Sequence, residues 1–331
     1  MMDEFVAALA AALRQIRVDA LLPSTDAALL AISRSRERLP HSLLTWLPPD
    51  ETLARVFQKG ALLEEAARAG FAVPETVECG NQEAARTAAA TVGFPLVVKP
   101  NMSVLPSAGG ARRESARIAR DDAQLAAALA AMGSHVLVQR FYARAPVLSF
   151  AGVASAGRLV AVVTARWWRR WPPLDGAAAF AETVAPPSGV AERAEALVAA
   201  LGWEGIFELE VLELDGGTFA PVDFNPRPFG WMALALRAGA NLPAVWAECV
   251  QKLAPRPVLA RPGVRYRWEE GDAGHLLWQL RQGRARAAAA VLLPHRRVAH
   301  AYFELRDPRP LAAEIARLPR RALRWLLTRL E

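Results

Sequence analysis

Lysine is nearly absent from this chain. Of the 40 Lys and Arg side chains in 331 residues, only Lys59, Lys99 and Lys252 are lysines. Arginine is a wide planar fork, whereas lysine is a compact point charge on a thin stem. A lysine retained among so many arginines is a candidate for a place where a small cation is needed, as at Lys59 and Lys99, whereas Lys252, ending an amphipathic helix, reads as surface. Cysteine is scarce as well. Cys79 and Cys249 lie far apart and make neither a disulfide framework nor a metal cluster, and a reducing cytoplasm is the simple inference. The five histidines (His41, His135, His275, His295 and His300) share no metal-ligand spacing and read as structural. No apolar run reaches the roughly 18 residues needed to span a bilayer. The opening MMDEFVAALAAALRQIRVDA lacks the basic start of a signal peptide. There is no internal repeat and no low-complexity tail. The formal charge of +7 favours acidic partners, but the arginines are scattered and not blocked, so no nucleic-acid partner is expected.

What the chain has in quantity is apolar surface, 53% of its residues, and a length that implies two or three domains. The first 20 residues predict a helix with Phe5, Leu9, Leu13 and Ile16 on one face. Leu21 and Leu22 suggest a short strand, and Ser24 and Asp26 offer caps to a helix through about Arg38. Two helices ending at Gly70 follow, then an extended entry at Val73–Pro74. Pro95 to Lys99 is a buried-type strand, residues 101–114 a Ser/Gly/Pro/Arg loop, 115–119 a second strand, and Asp121 or Asp122 caps a helix to about Met132. HVLVQRFY predicts a strand, with two more at 147–154 and 159–164. RWWRRWPPLDGAA reads as a loop whose tryptophans either stack on a substrate or pack against the cleft. AERAEALVAALGW is an amphipathic helix. GIFELEVLEL, a DGG turn and TFAPVDFN make a hairpin. Helices fill about 231–252, and a Pro/Arg hinge at 254–263 leads to a C-terminal region.

The hairpin ends on VDFNPRPFG. Side chains two apart on a strand share a face, so Asp223, Asn225 and Arg227 look into one space, and Pro226 and Pro228 suit a strand end. Glu208 and Glu210 share a face on the outgoing strand. If the two faces coincide, carboxylates converge, and like charges this close call for a cation between them. Oxygen ligands of this kind suit Mg²⁺, which takes one or two carboxylates together with phosphate oxygens. Asn225 would add a neutral oxygen, and Arg227 is placed to hold a phosphate or an oxyanion. Lys99 closes the strand PLVVKP and can point its ammonium into a cleft. The loop with Ser107, Gly109 and Gly110 offers backbone N–H groups to phosphates.

Taken in this order, FQKGALLEEAARAGFAVPET, FPLVVKP, the glycine loop, HVLVQRF and GIFELEVLELDGGTFAPVDFNPR resemble the ATP-grasp superfamily over about residues 50–252, in particular its carboxylate–amine ligases. The resemblance implies an α/β (α+β) fold of two α+β lobes. Residues 51–135 would form the first lobe and 136–253 the second, which carries the metal and phosphate site. A truncated Rossmann-like piece over 1–50 would precede them, and a small region over 254–331 would follow. It implies ATP and Mg²⁺ as cofactors. Glu210, Asp223 and Asn225 would be metal ligands, and Lys59, Lys99, Ser107, Gly109 and Gly110 would surround the phosphates. Gln139, Arg140 and Phe141 would form the hinge that reads adenine. Arg227, Arg166 and Lys99 would act on the transferring group, with Arg169 a further candidate beside Arg166. Two departures stand out. The position usually held by Glu is Asp223, and no acid occurs between Asp122 and Asp175 to bind the ribose hydroxyls.

The activity this implies is ATP-dependent amide formation through an acyl-phosphate. The partners would be an amine donor and a carboxylate on a small molecule, peptide or glycan. Alternatives are a non-catalytic nucleotide-binding scaffold and a phosphotransferase. A homodimer is compatible with either. The helix PRRALRWLLTRLE at 319–331, with Leu323, Leu326, Leu327 and Leu330 on one face, either docks on its own protein or lies on an anionic membrane through residues 320–331.

Overall fold

The computed structural model describes residues 2–317 apart from 41, 42, 46, 103, 108, 109, 114, 115, 134, 144 and 175, and describes only the backbone at 104–107 and 110–113. The chain opens with α1 (Met2–Gln15), β1 (Ala20–Leu21), α2 (Asp26–Ser33) and β2 (Leu44–Thr45). The two strands pair in parallel, Ala20 opposite Leu44, so this segment is a small βαβ unit. Thr25 caps α2 by accepting a hydrogen bond from the Ala28 N–H. The helix ends at Ser33, short of Arg38, and a 3₁₀ turn covers Arg36–Arg38.

Two helices follow, α3 (Asp50–Phe57) and α4 (Lys59–Arg68), separated by the extended residue Gln58. This break makes Lys59 the first residue of α4 and ties its N–H to the Asn101 carbonyl at 2.9 Å.

The first sheet comes from β3 (Thr76–Cys79), β4 (Leu96–Pro100), β7 (Arg117–Ala119) and β8 (Val136–Arg140), in the order β3-β8-β4-β7 with antiparallel neighbours. Helices α5 (Gln82–Val92) and α6 (Asp122–Met132) cover it. Asn81 and Asp121 cap them by accepting from the N–H groups of Ala84 and Gln124. Leu96, Val98, Leu125, Leu129, Val136 and Val138 fill the core between helices and sheet. Within the stretch expected to be loop, β5 (Val104–Ser107) and β6 (Gly110–Arg113) form a two-stranded ladder with Ser107 opposite Gly110. Because β8 hydrogen-bonds to β3 and β4, the first sheet runs to Arg140, five residues beyond the boundary expected after 135.

The second sheet is larger. β9 (Val147–Ser155), β10 (Arg158–Trp171), β11 (Ala177–Val184), β12 (Gly205–Leu214), β13 (Thr218–Asn225), β14 (Val258–Leu259), β15 (Arg265–Arg267) and β16 (Val298–His300) make eight strands. Their order is β13-β12-β9-β10-β11-β15-β16, with β14 beside β10. Strand alternation separates its two faces. Leu148 and Phe150 of β9, with Phe207 and Leu209 of β12, point to one side. There they meet α7 (Val190–Leu201), α3, α4 and Leu29 and Leu30 of α2. Ala151, Val153 and Ile206 point to the other side, against α8 (Met232–Arg237) and α9 (Leu242–Val250). Helices α10 (Glu269–Arg281) and α11 (Ala285–Leu292) complete the described elements.

Three expectations need correction. Residues 50–71 pack into the core of the second sheet, not the first, since Leu53, Val56, Phe57, Leu62 and Phe71 sit with Phe150 and Leu197. Residues 254–300 are not a separate region, because β14, β15 and β16 extend the second sheet. RWWRRW is not a loop: it is the end of the 14-residue β10. Irregular register between Trp167 and Arg170 breaks the period-2 pattern that would have marked it as strand.

Candidate active site

Register brings the acids together. In the β12–β13 hairpin Glu208 stands opposite Asn225 and Glu210 opposite Asp223, so all four side chains share the face that also carries Ile206, while Phe207, Leu209 and Phe224 fill the core behind. Glu208 is buried and accepts hydrogen bonds from Ser149 Oγ at 2.6 Å, Asn225 Nδ2 at 3.0 Å and Trp231 Nε1. With three donors on its two oxygens it is fixed in the wall of the site. Asn225 also donates to Glu210 Oε1 at 3.2 Å, and its Oδ1 accepts from Arg227 at 3.0 Å.

Beside this cluster lies a cavity of about 280 Å³ between the two sheets. Val97 and Ile118 from the first sheet and Leu212 from the second give it apolar walls. Gln139, Arg140, Phe141 and Tyr142 at the end of β8, the cations Lys59, Lys99 and Arg170, Leu174, and the acids Glu210 and Asp223 also line it. A flat ring between apolar walls with a polyanion reaching two lysines fits this distribution of surface.

The charges are held under strain of solvation. Lys99 is buried, and its Nζ donates to Gln139 Oε1 and the Val222 carbonyl, both at 3.1 Å. Burial, reinforced by the nearby Lys59, pulls its pKa down to about 7, with Asp223 and Glu210 opposing the shift. Glu210 is pushed up to about 8 by burial and by its neighbours Glu208 and Asp223. Burial raises Glu208 as well, against the hydrogen bonds it accepts. Lys59 pairs with Asp223. A cleft whose lysine is pushed toward neutral and whose acid is pushed toward protonation is arranged for counter-charges from a ligand.

Of the residues expected from sequence, the structure brings Lys59, Lys99, Gln139, Arg140, Phe141, Glu210 and Asp223 to one cavity. Asn225 lines a small adjoining space with Asp26, Lys59 and Asp223. The buried side-chain amide of Gln139 donates to Thr76 Oγ1 at 2.7 Å and accepts from Lys99, which leaves its backbone to the hinge role. Arg140 turns its side chain outward to Glu75, with Nε to Oε2 at 2.8 Å. Arg227 lies at the cluster, held by Asp26. Arg166 is paired with Glu213 at 2.7 Å and does not line the cavity. Arg169 is likewise not in the cleft, being bidentate to Asp272 at 2.6 and 2.7 Å and stacked over Phe180. The arginine that this strand does deliver to the cavity is Arg170. Gly110 pairs with Ser107, whereas Gly109 lies outside the described residues. Sequence reasoning missed Val97, Ile118, Leu212 and Tyr142. The three aliphatic residues read as core in any strand, but Tyr142, two residues beyond the β8 strand end, carried a usable signal.

The donor set suits a hard cation. Among the described residues no group of three or more His, Cys, Asp or Glu is arranged to hold a metal, but Mg²⁺ needs only one or two carboxylates and fills the rest with water and phosphate oxygens. Glu210 and Asp223 fit that demand. Asn225 turns its N–H groups to Glu208 and Glu210 while its Oδ1 accepts from Arg227, so a cation would use the second lone pair of that oxygen. The described part of the cavity wall has no acid apart from Glu210 and Asp223.

Comparison with solved structures gives the class of fold. Over 75% of this chain and 58% of the other, the protein superposes on biotin carboxylase from Campylobacter jejuni, solved as a complex with beta-gamma-ATP, with a TM-score of 0.61 and 16% identity. N5-carboxyaminoimidazole ribonucleotide synthetase from Thermus thermophilus matches 75% of this chain and 65% of its own, with a TM-score of 0.56 and 17% identity. An L-amino acid ligase from Bacillus licheniformis matches 77% and 61%, with a TM-score of 0.56 and 15% identity. In each case the chain spans less than two thirds of the other chain's length. No family model matches the sequence, and no curated protein matches it. The fold is the ATP-grasp fold. The particular member is a question of chemistry, which identities this low leave to the site.

Proposed function

We propose that the chain is an ATP-dependent carboxylate–amine ligase that forms an amide through an acyl-phosphate. The observation that carries this reading is the convergence in one cavity of two lysines, a hinge strand and the Glu210/Asp223 pair, with Asn225 and Arg227 at the adjoining edge. A carboxylate is a poor electrophile until its oxygen becomes a leaving group. Phosphorylation by ATP supplies that, and an amine then attacks the carbonyl and expels phosphate.

The roles follow from position. Val97, Ile118 and Leu212 would enclose the adenine against the hinge, and Tyr142 and Arg170 would meet the sugar end, where no described acid is present. Lys59 and Lys99 would hold phosphate oxygens. Bound between Glu210, Asp223 and Asn225, Mg²⁺ would neutralise charge on the β and γ phosphates. Arg227 would steady the transferring phosphoryl group and then the tetrahedral oxyanion. The β10 end and the turn after it, with Arg170, Leu174 and Gly176, would screen the intermediate from water.

A second reading, a nucleotide-binding scaffold, draws on the missing ribose acid and on Arg140 being engaged by Glu75. Product analysis separates the two. With ATP, Mg²⁺ and a panel of amino acids, acidic peptides and uronic acids paired with amines, the ligase releases ADP and phosphate in step with an amide. A stable phosphate ester without amide would assign a phosphotransferase, and no turnover with any pair would leave the scaffold.

No helix among the described residues is long and apolar enough to cross a membrane. The segment 320–331 proposed for membrane contact lies outside the described residues.

A further inference from the structure

We infer that Asp26, in the N-terminal βαβ unit, is a positioning residue for Arg227 and through it for the metal end of the cleft. This rests on the ligase reading and extends it to a part of the chain with no place in the nucleotide cavity. Asp26 is the first residue of α2, where any acid would favour the helix dipole from solvent. It is instead 7% exposed, and a buried carboxylate needs a specific partner. That partner is Arg227, 201 residues further along, whose Nε lies 2.9 Å from Asp26 Oδ1.

The contact does not end there. Arg227 donates from one terminal nitrogen to Asn225 Oδ1 at 3.0 Å and from the other to the Pro228 carbonyl at 3.0 Å. Asn225 in turn donates to Glu208 and Glu210. A single line of hydrogen bonds thus runs from α2 to the proposed metal ligands. Three of the five N–H groups of the guanidinium are occupied, all by neutral or anionic oxygens of the protein, and two remain for an anion. Fixing Nε sets the plane of the fork and so the direction of those two. Without Asp26 the guanidinium is left to the pull of Glu208, which already feels its charge, toward the space a cation would take. An anchor that only fastened α2 to the sheet would not need an arginine that also grips Asn225.

The test uses Asp26→Ala, Asp26→Asn and Asp26→Glu in the full chain. Calorimetry reads the affinity of Mg²⁺–ATP, then that of orthovanadate, a phosphoryl mimic, for the ADP–Mg²⁺ complex, and melting gives the stability. Loss of one charged hydrogen bond is expected to weaken vanadate binding at least about tenfold in Asp26→Ala. Mg²⁺–ATP affinity should stay within about threefold, since Lys59, Lys99 and the cavity walls are untouched. Asp26→Asn, which keeps a neutral acceptor and the helix, should fall between, and Asp26→Glu should recover part of the loss. Unchanged vanadate affinity in the Ala and Asn variants, with a lower melting temperature, would make Asp26 a structural strut and overturn the inference. Wild-type protein that binds no nucleotide would overturn the ligase reading and this inference with it, whereas wild-type binding with unaffected variants sinks this inference alone.

Discussion

Burial moves Lys99 and Glu210 in opposite protonation directions, and their shifts make a testable profile of stability against pH. Glu210 titrates at about 8 in the folded chain against an ordinary 4.5. Between those values the folded state holds the extra proton, so stability falls as pH rises through this window. Lys99 titrates at about 7 against 10.5. There the unfolded state holds the extra proton, so stability rises with pH from about 7 to 10.5. The ligand-free protein is therefore expected to be least stable near pH 7–8. Melting from about pH 5 to about pH 10 checks this. Glu210→Gln should flatten the acid side and Lys99→Met the alkaline side, and a profile unaltered by both would show that neither shift exists. The acid pair was legible from sequence because strand period and the two prolines fix which side chains share a face. Asp26 was legible only as a helix cap, since no local pattern reports a partner on the far side of the sequence. Arg166 was assigned by its place beside tryptophans, and its partner Glu213 lies on β12, two strands away beyond β9, which no local pattern reports.

Among elements, β10 and α10 depend on one another. Asp272 of α10 receives both Arg169 of β10 and Arg267 of β15, the latter at 2.9 Å, and His275 hydrogen-bonds to the Arg170 carbonyl. The Trp171 ring lies against Gly274, where an added Cβ would come within 2.3 Å of the indole. This clamp fixes the strand end that delivers Arg170 to the cavity. Removing a buried carboxylate from two arginines leaves uncompensated charge, and Asp272→Ala is expected to cost about 3 kcal/mol in urea unfolding. Glu75→Ala, which breaks the exposed pair with Arg140, should leave stability unchanged within measurement. Hairpin, capped helices and buried strands were readable element by element. Which sheet a strand joins was not: VLVQR of β8 has the same apolar run wherever it pairs, and only its hydrogen bonds to β3 and β4 place it in the first sheet.

For the whole molecule, the N-terminal unit shares the core of the second sheet and is not an appendage. Leu29 and Leu30 of α2 lie in the same core as Phe150, Phe207 and Phe224, directly behind the acid-bearing hairpin. Leu29 is 2% exposed, so Leu29→Ala is expected to destabilise the protein by about 3 kcal/mol, measurable by urea unfolding. The ATP-grasp fold followed from motif order. The merging of residues 254–300 into the second sheet did not, because strands of two or three residues carry too little periodicity to be seen.

In the proposed function, the space between the two sheets is a Mg²⁺–ATP site. Titration calorimetry of ATP with and without Mg²⁺, on the wild type and on the Asp223→Ala/Asn225→Ala double variant, tests it most directly. The expected result is binding that requires Mg²⁺ and is lost in the double variant while the fold, followed by circular dichroism, persists. Nucleotide binding indifferent to Mg²⁺ and to the double substitution, or no binding by the wild type, would contradict it.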